Sequence, residues 1–126
     1  MPEVLLVDDD PDIRGMLAFT LDDYGFTVRE AEDGAAAIAA LEERAPDIIV
    51  LDLMMPVLDG FGVLAVMRER GLAPDTRVLI LSCKVDEQAL VRTSELGANE
   101  YVSKPFDPEG LAGKLNTLAA AIRDAD

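Results

Sequence analysis

Short apolar runs alternate five times with longer segments of helical periodicity, and this alternation constrains the fold more than any other feature. The short runs predict strands near residues 3–7, 26–30, 47–51, 77–81 and 99–102. The longer segments predict helices near residues 11–24, 34–44, 60–70, 85–96 and 108–122. Strands that alternate with helices form a parallel sheet with right-handed crossovers. The pattern therefore predicts an α/β domain.

The composition of each run predicts where its strand lies in the sheet. The runs 4–7, 48–51 and 78–81 are wholly apolar, so both faces of these strands should be covered by helices. The runs 26–30 and 99–103 alternate polar and apolar residues, which is typical of edge strands. The predicted architecture is a flavodoxin-like, doubly wound (βα)5 sheet with strand order 2-1-3-4-5.

Capping residues agree with the predicted helix boundaries. An aspartate stands at each of four expected helix starts, where its carboxylate can accept backbone N–H groups: Asp10, Asp33, Asp59 and Asp107. A glycine follows each of three expected helix ends, where a left-handed backbone is favoured: Gly25, Gly71 and Gly97.

Size and cysteine content suit one domain in a reducing compartment. The chain has 126 residues, half of them apolar, so we expect a single domain over 1–126 with a frayed tail from about residue 123. The single cysteine, Cys83, excludes an intramolecular disulfide, and we expect it to be buried and unreactive. No signal peptide is visible, and no apolar run reaches the roughly 18 residues of a membrane span. We therefore expect a cytoplasmic protein.

The charge of the chain limits its partners. A net charge of −14 argues against direct binding to nucleic acid or to a membrane surface. Residues 1–76 carry five basic and 17 acidic side chains, whereas residues 77–126 carry six and eight. The nearly neutral second part is the easier place for a partner to dock. Alternatively, acidic residues simply cluster around a cation site, and the sequence leaves both interpretations open.

Polar side chains follow four of the predicted strands. Asp8 and Asp9 follow the first strand, Asp52 the third, Ser82 the fourth and Lys104 the fifth. The carboxyl ends of parallel strands share one edge, which is where ligands bind in such sheets. Three carboxylates, a hydroxyl and an ammonium at one edge suit a divalent cation and a phosphoryl group.

These residues resemble the receiver domain of two-component response regulators, and the resemblance covers essentially the whole chain. It is carried by residues 4–11, by residues 52–56 with Asp59 and Gly60, by residues 81–82 and by residues 104–106. The resemblance implies a phosphorylation-dependent signalling switch, not an enzyme in the usual sense. The phosphoryl group would come from a histidine kinase or a histidine phosphotransfer protein.

The resemblance also assigns the chemistry of the site. Asp52 would be the phosphoryl acceptor, and Lys104 would pair with the phosphoryl group. Asp8, Asp9 and Asp52 would bind Mg²⁺, or Mn²⁺ in its place, together with the backbone carbonyl of Met54.

A second set of implied roles concerns signal output. Ser82 would be the switch hydroxyl, Tyr101 the aromatic switch residue, and the Lys104–Pro105 peptide would be cis. The face made by the fourth helix, fifth strand and fifth helix would control an output partner or domain, with a homodimer possible on phosphorylation. Glu109 stands where transcription-factor receivers often have arginine, which puts their salt-bridged dimer in doubt.

The resemblance places kinase docking on a different face. Ile13 and Met16, with Pro105 and Phe106, would surround the cleft and contact the phosphodonor, although Ile13 fits the core equally well. Met54 and Lys84 flank the site, and neither side chain readily orients a hydrolytic water. We therefore predict slow self-dephosphorylation.

An enzyme of the haloacid-dehalogenase type is the alternative. Asp8 and Asp10 after an apolar strand resemble the nucleophile motif of those phosphatases, with Ser82 and Lys104 as later motifs. Asp8 would then form the aspartyl phosphate. The chain is short for that family and shows no second pair of acids near its end.

Overall fold

The structure, a computed structural model, describes residues 2–83 and 86–125. This part of the chain contains the strands β1 (Glu3–Val7), β2 (Thr27–Ala31), β3 (Ile48–Leu51), β4 (Arg77–Ser82) and β5 (Glu100–Ser103). It also contains the helices α1 (Pro11–Asp23), α2 (Gly34–Glu43), α3 (Gly60–Arg70), α4 (Glu87–Glu95) and α5 (Pro108–Ala125). Every predicted strand and helix is therefore present, with small shifts at the ends.

All five strands are parallel and lie in the order β2-β1-β3-β4-β5. This order confirms the prediction made from strand composition. The apolar runs 4–7, 48–51 and 78–81 are buried throughout, while β2 and β5 at the edges are partly exposed. The register pairs Val7 with Leu51, so the carboxyl ends of β1 and β3 lie side by side.

Two apolar cores lie on opposite faces of the sheet. Alternate strand residues supply them, because successive side chains in a strand point to opposite faces. Leu5 and Val7 belong to the core shared with α2, α3 and α4, whereas Val4 and Leu6 belong to the core shared with α1 and α5. Helices thus cover both faces and leave the carboxyl edge open for a site.

The predicted aspartate caps are present at the helix starts. Each carboxylate accepts a backbone N–H two or three residues further on, from donors at Asp12, Ala36, Gly62 and Gly110. Asp86 caps α4 in the same way, which the sequence analysis did not predict. Gly25, Gly71 and Gly97 all have positive φ, as expected for residues that end helices.

One expectation differs from the structure. Cys83 is exposed instead of buried, because it lies where the chain leaves the sheet at the carboxyl edge. The helix α5 extends to Ala125, and fraying of the tail from about residue 123 stays a prediction. Within residues 2–83 and 86–125, the helices are all too short or too polar to cross a membrane.

Candidate functional site

Three carboxylates come together at the carboxyl edge of the sheet. Asp8 and Asp52 directly follow β1 and β3, and the Asp52 N–H donates to the Val7 carbonyl at 3.0 Å. Asp8 is 5% exposed and Asp52 4% exposed, whereas Asp9 is open to solvent. Carboxylate oxygens of all three residues lie within 4.8 Å of one another. The register of adjacent strands therefore creates the cluster predicted from the sequence.

The Lys104 ammonium lies between the two buried carboxylates. Its Nζ donates to Asp8 Oδ2 at 2.7 Å and to Asp52 Oδ2 at 3.2 Å. The backbone N–H of Lys104 donates to the Ser82 carbonyl, which fixes the residue beside β4. The Lys104–Pro105 peptide is cis, as predicted. One ammonium faces three carboxylates, so a net negative charge remains.

The surroundings of Asp52 and Lys104 shift the pKa of both groups. Burial raises the pKa of the Asp52 carboxyl, and the Asp8 charge adds to that rise. The Met54 N–H, 3.0 Å from Asp52 Oδ1, and the Lys104 ammonium oppose it. Burial alone would lower the pKa of Lys104, but the two carboxylates outweigh it and raise that pKa above its ordinary value. Lys104 is therefore a fixed cation, and Asp52 is the carboxyl that ionises at a cost.

A glycine allows the chain after Asp52 to fold back on itself. Gly60 begins α3, and its N–H donates to the Leu53 carbonyl at 3.1 Å. A Cβ at this position would overlap the Asp52 carbonyl oxygen and lie 2.8 Å from Leu53 Cα. The start of α3 can therefore press against the end of β3 only because residue 60 has no side chain, and this contact fixes the backbone that carries Asp52.

Ser82 and Tyr101 lie on neighbouring strands at the same edge. Ser82 is fully buried at the end of β4 and pairs with Ser103 of β5. Tyr101 pairs with Ile80 and packs, partly buried, against the core shared with α2, α3 and α4. Burial raises the pKa of Tyr101, and the charges of Asp86 and Asp52 raise it further. Tyr101 is therefore close enough to the acidic edge to respond to its charge.

The other predicted site residues lie around this cluster. Met54 and Met16 have exposed side chains, and Pro105 is exposed as well. Ile13 and Phe106 are partly buried against the core shared with α1 and α5. Ile13 thus belongs to the core at least in part, which was the alternative to a docking role. Lys84, invoked for slow self-dephosphorylation, lies outside the described residues.

Two cationic contacts near the site were not predicted. Arg14 Nη1 donates to the Asp8 carbonyl at 2.6 Å, and Arg14 Nε donates to Glu30 Oε1 at 3.3 Å. The Arg92 guanidinium lies 4.2 Å from the centroid of the Phe61 ring, which links α4 to α3. One signal in the sequence was usable: an arginine stands in the first turns of the helix that follows Asp8 and Asp9. Which groups Arg14 and Arg92 contact depends on how the helices and strands pack.

The donor set fits a hard divalent cation. Carboxylate oxygens are preferred ligands of Mg²⁺, which usually binds through one or two carboxylates and keeps several waters. Asp8 and Asp52 supply buried oxygens, and the exposed Asp9 leaves the cluster open to solvent on one side. The single ammonium of Lys104 does not neutralise three carboxylates. The cluster therefore could hold a metal ion.

Residues 4–116 match the family model described as the response regulator receiver domain. The chain belongs to the response regulator receiver family. Receiver domains are phosphorylation-dependent switches, and this one is a signalling domain and not a classical enzyme. The phosphatase alternative, with Asp8 as nucleophile, is not supported, because the match covers most of the chain and follows the receiver arrangement.

Relatives of known name agree with this assignment. The chain is 36% identical to the DNA-binding dual master transcriptional regulator RpaA of Synechocystis over 94% of its own length and 49% of the relative's. It is 34% identical to the phosphate regulon transcriptional regulatory protein PhoB of Klebsiella pneumoniae, over 94% of its own length and 52% of the relative's. The chain thus spans about half the length of these relatives.

Solved structures show the same fold. The chemotaxis protein CheY4 of Vibrio cholerae superposes with a TM-score of 0.87 at 34% identity, over 94% of this chain and 98% of that one. The receiver domain of the Francisella response regulator 1452 gives a TM-score of 0.89 at 29% identity, over 100% of both chains.

Proposed function

We propose that Asp52 accepts a phosphoryl group from a phosphohistidine of a histidine kinase or of a histidine phosphotransfer protein. One observation carries this assignment. Asp52 is a buried carboxyl whose Oδ2 lies 3.2 Å from the ammonium of Lys104, which also pairs with the second buried carboxyl, Asp8. A nucleophile in this position is shielded from water and faces a fixed cation, as phosphoryl transfer requires.

The proposal includes a divalent cation at the three carboxylates. Asp8, Asp9 and Asp52, with the backbone carbonyl of Met54, would hold Mg²⁺ or Mn²⁺. Such an ion, when bound, offsets the carboxylate charge and neutralises phosphoryl oxygens. The support is the donor set itself, since the carboxylate oxygens of the three residues lie within 4.8 Å of one another and the Lys104 ammonium offsets only part of their charge.

The transfer step needs little covalent chemistry from the protein. A carboxylate oxygen of Asp52 attacks phosphorus in line, while the P–N bond to the donor imidazole breaks and its electron pair stays on that nitrogen. A proton already carried by the other ring nitrogen lets the imidazole leave as a neutral group. Lys104 Nζ, which now bonds both Asp8 and Asp52, turns to pair with an anionic phosphoryl oxygen. The products are an aspartyl phosphate and a free histidine.

The signal then passes through Ser82 and Tyr101. The Ser82 hydroxyl donates to a phosphoryl oxygen, and a bond of this kind is worth about 1.5–3 kcal/mol, enough to shift a two-state equilibrium at least tenfold. Tyr101, on the neighbouring strand, follows this movement. The face of α4, β5 and α5 changes and controls an output partner or domain, with homodimer formation as one route. The transcriptional names of two relatives support an output in gene regulation.

Intact-mass measurement tests the acceptor directly. With a small phosphodonor such as phosphoramidate and MgCl₂, the protein should gain one phosphoryl group, and EDTA should prevent the gain. Asp52→Asn should abolish it. Asp59→Asn is the matched control, because Asp59 is an exposed cap on the same edge and should leave labelling intact. Labelling that survives Asp52→Asn would contradict the proposal.

Docking of the phosphodonor is proposed for Ile13, Met16, Pro105 and Phe106. Met16 is the cleanest probe because its side chain is exposed, whereas Ile13 and Phe106 also contact the core. Met16→Asp should slow transfer from a kinase and leave labelling by phosphoramidate unchanged. Equal rates from the kinase for both proteins would contradict docking at this face.

The lifetime of the aspartyl phosphate is a further part of the proposal. The Met54 side chain is long, apolar and exposed beside Asp52, so it offers no group to orient a hydrolytic water. We expect loss of the phosphoryl group over many minutes in the presence of Mg²⁺. A lifetime of seconds would contradict slow self-dephosphorylation.

A further inference from the structure

Arg14 joins the acidic loop after β1 to the neighbouring strand. Its Nη1 donates to the Asp8 carbonyl at 2.6 Å, and its Nε donates to Glu30 Oε1 at 3.3 Å. Glu30 lies in β2, opposite Leu6 of β1. The Arg14 side chain is only 16% exposed. One guanidinium therefore links the start of α1, the loop that carries Asp8 and Asp9, and the end of β2.

The bond to Asp8 fixes a particular peptide group. The Asp8 carbonyl belongs to the peptide plane between Asp8 and Asp9, so the direction of that carbonyl sets where both side chains leave the backbone. On the other side of Asp8, its N–H donates to the Ala31 carbonyl at 3.2 Å. Its carboxylate accepts the Asp10 N–H at 2.9 Å. Asp8 is thus held by the strand, by its own loop and by Arg14.

We propose that Arg14 is a positioning residue for the cation site: its guanidinium orients the Asp8–Asp9 peptide so that both carboxylates face the ion. Arg14 bonds the Asp8 carbonyl and would not itself be a ligand of the ion. The inference rests on the proposed function, in which Asp8 and Asp9 bind Mg²⁺. Groups that orient metal ligands without touching the metal typically change metal affinity by about 10–100-fold.

A role of Arg14 through its charge and a role through positioning predict opposite changes in cation affinity when Arg14 is removed. Removal of a positive charge beside a cation site strengthens cation binding if the charge acts only through Coulomb repulsion. Removal of a positioning bond weakens it. Ion size separates the effects further, because Mg²⁺ requires near-ideal octahedral ligands whereas Ca²⁺ accepts flexible geometry. A positioning defect therefore affects Mg²⁺ more than Ca²⁺.

The test compares cation affinities of the full chain by isothermal titration calorimetry with MgCl₂ and CaCl₂. Arg14→Gln should weaken Mg²⁺ binding about tenfold and Ca²⁺ binding less. Arg14→Lys keeps the charge but lacks the planar fork that reaches both oxygens, so it should restore binding only in part. Arg70→Gln is the control, because Arg70 pairs with Glu42 across α2 and α3 and should leave both affinities unchanged.

The outcomes separate this inference from the proposed function. Failure of the unaltered protein to bind Mg²⁺ would contradict the metal site itself. Normal binding by that protein, with equal or tighter Mg²⁺ binding by Arg14→Gln, would overturn the positioning role alone, as would equal losses for Mg²⁺ and Ca²⁺. Should Arg14→Gln fail to fold, Arg14→Lys carries the same test, because it keeps the positive charge and loses the two-point bond, so a loss of Mg²⁺ affinity that exceeds the loss of Ca²⁺ affinity comes from positioning. We expect a two- to threefold loss of Mg²⁺ affinity there, of the size one weakened hydrogen bond produces.

Discussion

The carboxyl edge and the amino edge of the sheet pair cations and carboxylates in opposite proportions. At the carboxyl edge, the ammonium of Lys104 is shared by the carboxylates of Asp8 and Asp52. At the amino edge, the single carboxylate of Glu3 is paired with two guanidinium groups, Arg29 at 2.9 Å and Arg44 at 2.5 Å. At the carboxyl edge one cation is thus shared by two carboxylates, whereas at the amino edge two cations share one carboxylate.

The pKa directions follow from this difference. The hydrogen bond from Arg44 lowers the pKa of Glu3, burial opposes it, and Arg29 lowers it further. Burial instead raises the pKa of Asp52, despite the nearby ammonium. An ionised Glu3 thus stabilises the fold, whereas an ionised Asp52 destabilises it. The amino edge contributes stability, and the carboxyl edge keeps a charge imbalance that a cation or a phosphoryl group can change.

The largest effect is expected when the Lys104 ammonium, which pairs with both buried carboxylates, is removed. Lys104→Met leaves two buried carboxylates without their partner and should lower the free energy of unfolding by about 3 kcal/mol without metal. Urea denaturation in EDTA measures this loss. Saturating Mg²⁺ should recover part of it, because the ion then supplies the missing positive charge. The control is Lys114→Met, since Lys114 forms an exposed pair with Glu100 and the loss of such a pair should have no measurable effect. Equal stability of the two variants would show that Lys104 does not offset the carboxylate charge.

Neutralising Asp52, the proposed phosphoryl acceptor, should change stability in the opposite direction. Asp52→Asn removes a buried charge but keeps an oxygen for the Met54 N–H, so the metal-free protein should become about 1 kcal/mol more stable. Because the pKa of Asp52 is raised, the folded state binds the extra proton, and the cost of ionisation develops as pH rises above the ordinary value of 3.8. The gain should therefore vanish at low pH and grow toward neutral pH. A gain that is independent of pH would rule out ionisation of Asp52 as its cause.

The same neutralisation at the amino edge should lower stability. Glu3→Gln loses the ion pairs with Arg29 and Arg44, and we expect a loss of about 1 kcal/mol at neutral pH. Because the pKa of Glu3 is lowered, its contribution is complete above the ordinary value of 4.5 and disappears as pH falls through the folded value. Thermal unfolding from neutral to acidic pH checks this. Mg²⁺ should leave the difference between Glu3→Gln and the unaltered protein unchanged.

The sequence was sufficient for the fold and for the acidic cluster for one reason. Strand order followed from which runs were apolar on both faces, and parallel strands bring their carboxyl ends together. Asp8 and Asp9 follow β1, Asp52 follows β3 and Lys104 follows β5. Whether these residues meet at one edge therefore depended on the register of the strands. Apart from Lys104, no long side chain had to be placed to predict it.

The remaining features depend on how side chains extend between elements. Arg14 reaches a backbone carbonyl six residues earlier and a carboxylate on another strand, and Arg29 and Arg44 converge on Glu3 from separate elements. Such contacts leave no periodic signal in the sequence. Cys83 was misplaced for a related reason, since its exposure depends on where β4 ends at the sheet edge.

Backbone strain at the two edges gives the last test of the comparison. Val57, in the loop after β3 at the carboxyl edge, has a φ of 71° and a side chain that is 85% exposed. Ala73, before β4 at the amino edge, has a φ of 49° but is only 8% exposed. A branched residue is strained at positive φ, so Val57→Gly should raise stability by about 1 kcal/mol while losing little packing. Ala73→Gly relieves less strain and loses a buried methyl group, so it should gain nothing. Urea midpoints in EDTA measure both variants, and a larger gain at Ala73 would show that strain is not concentrated at the carboxyl edge.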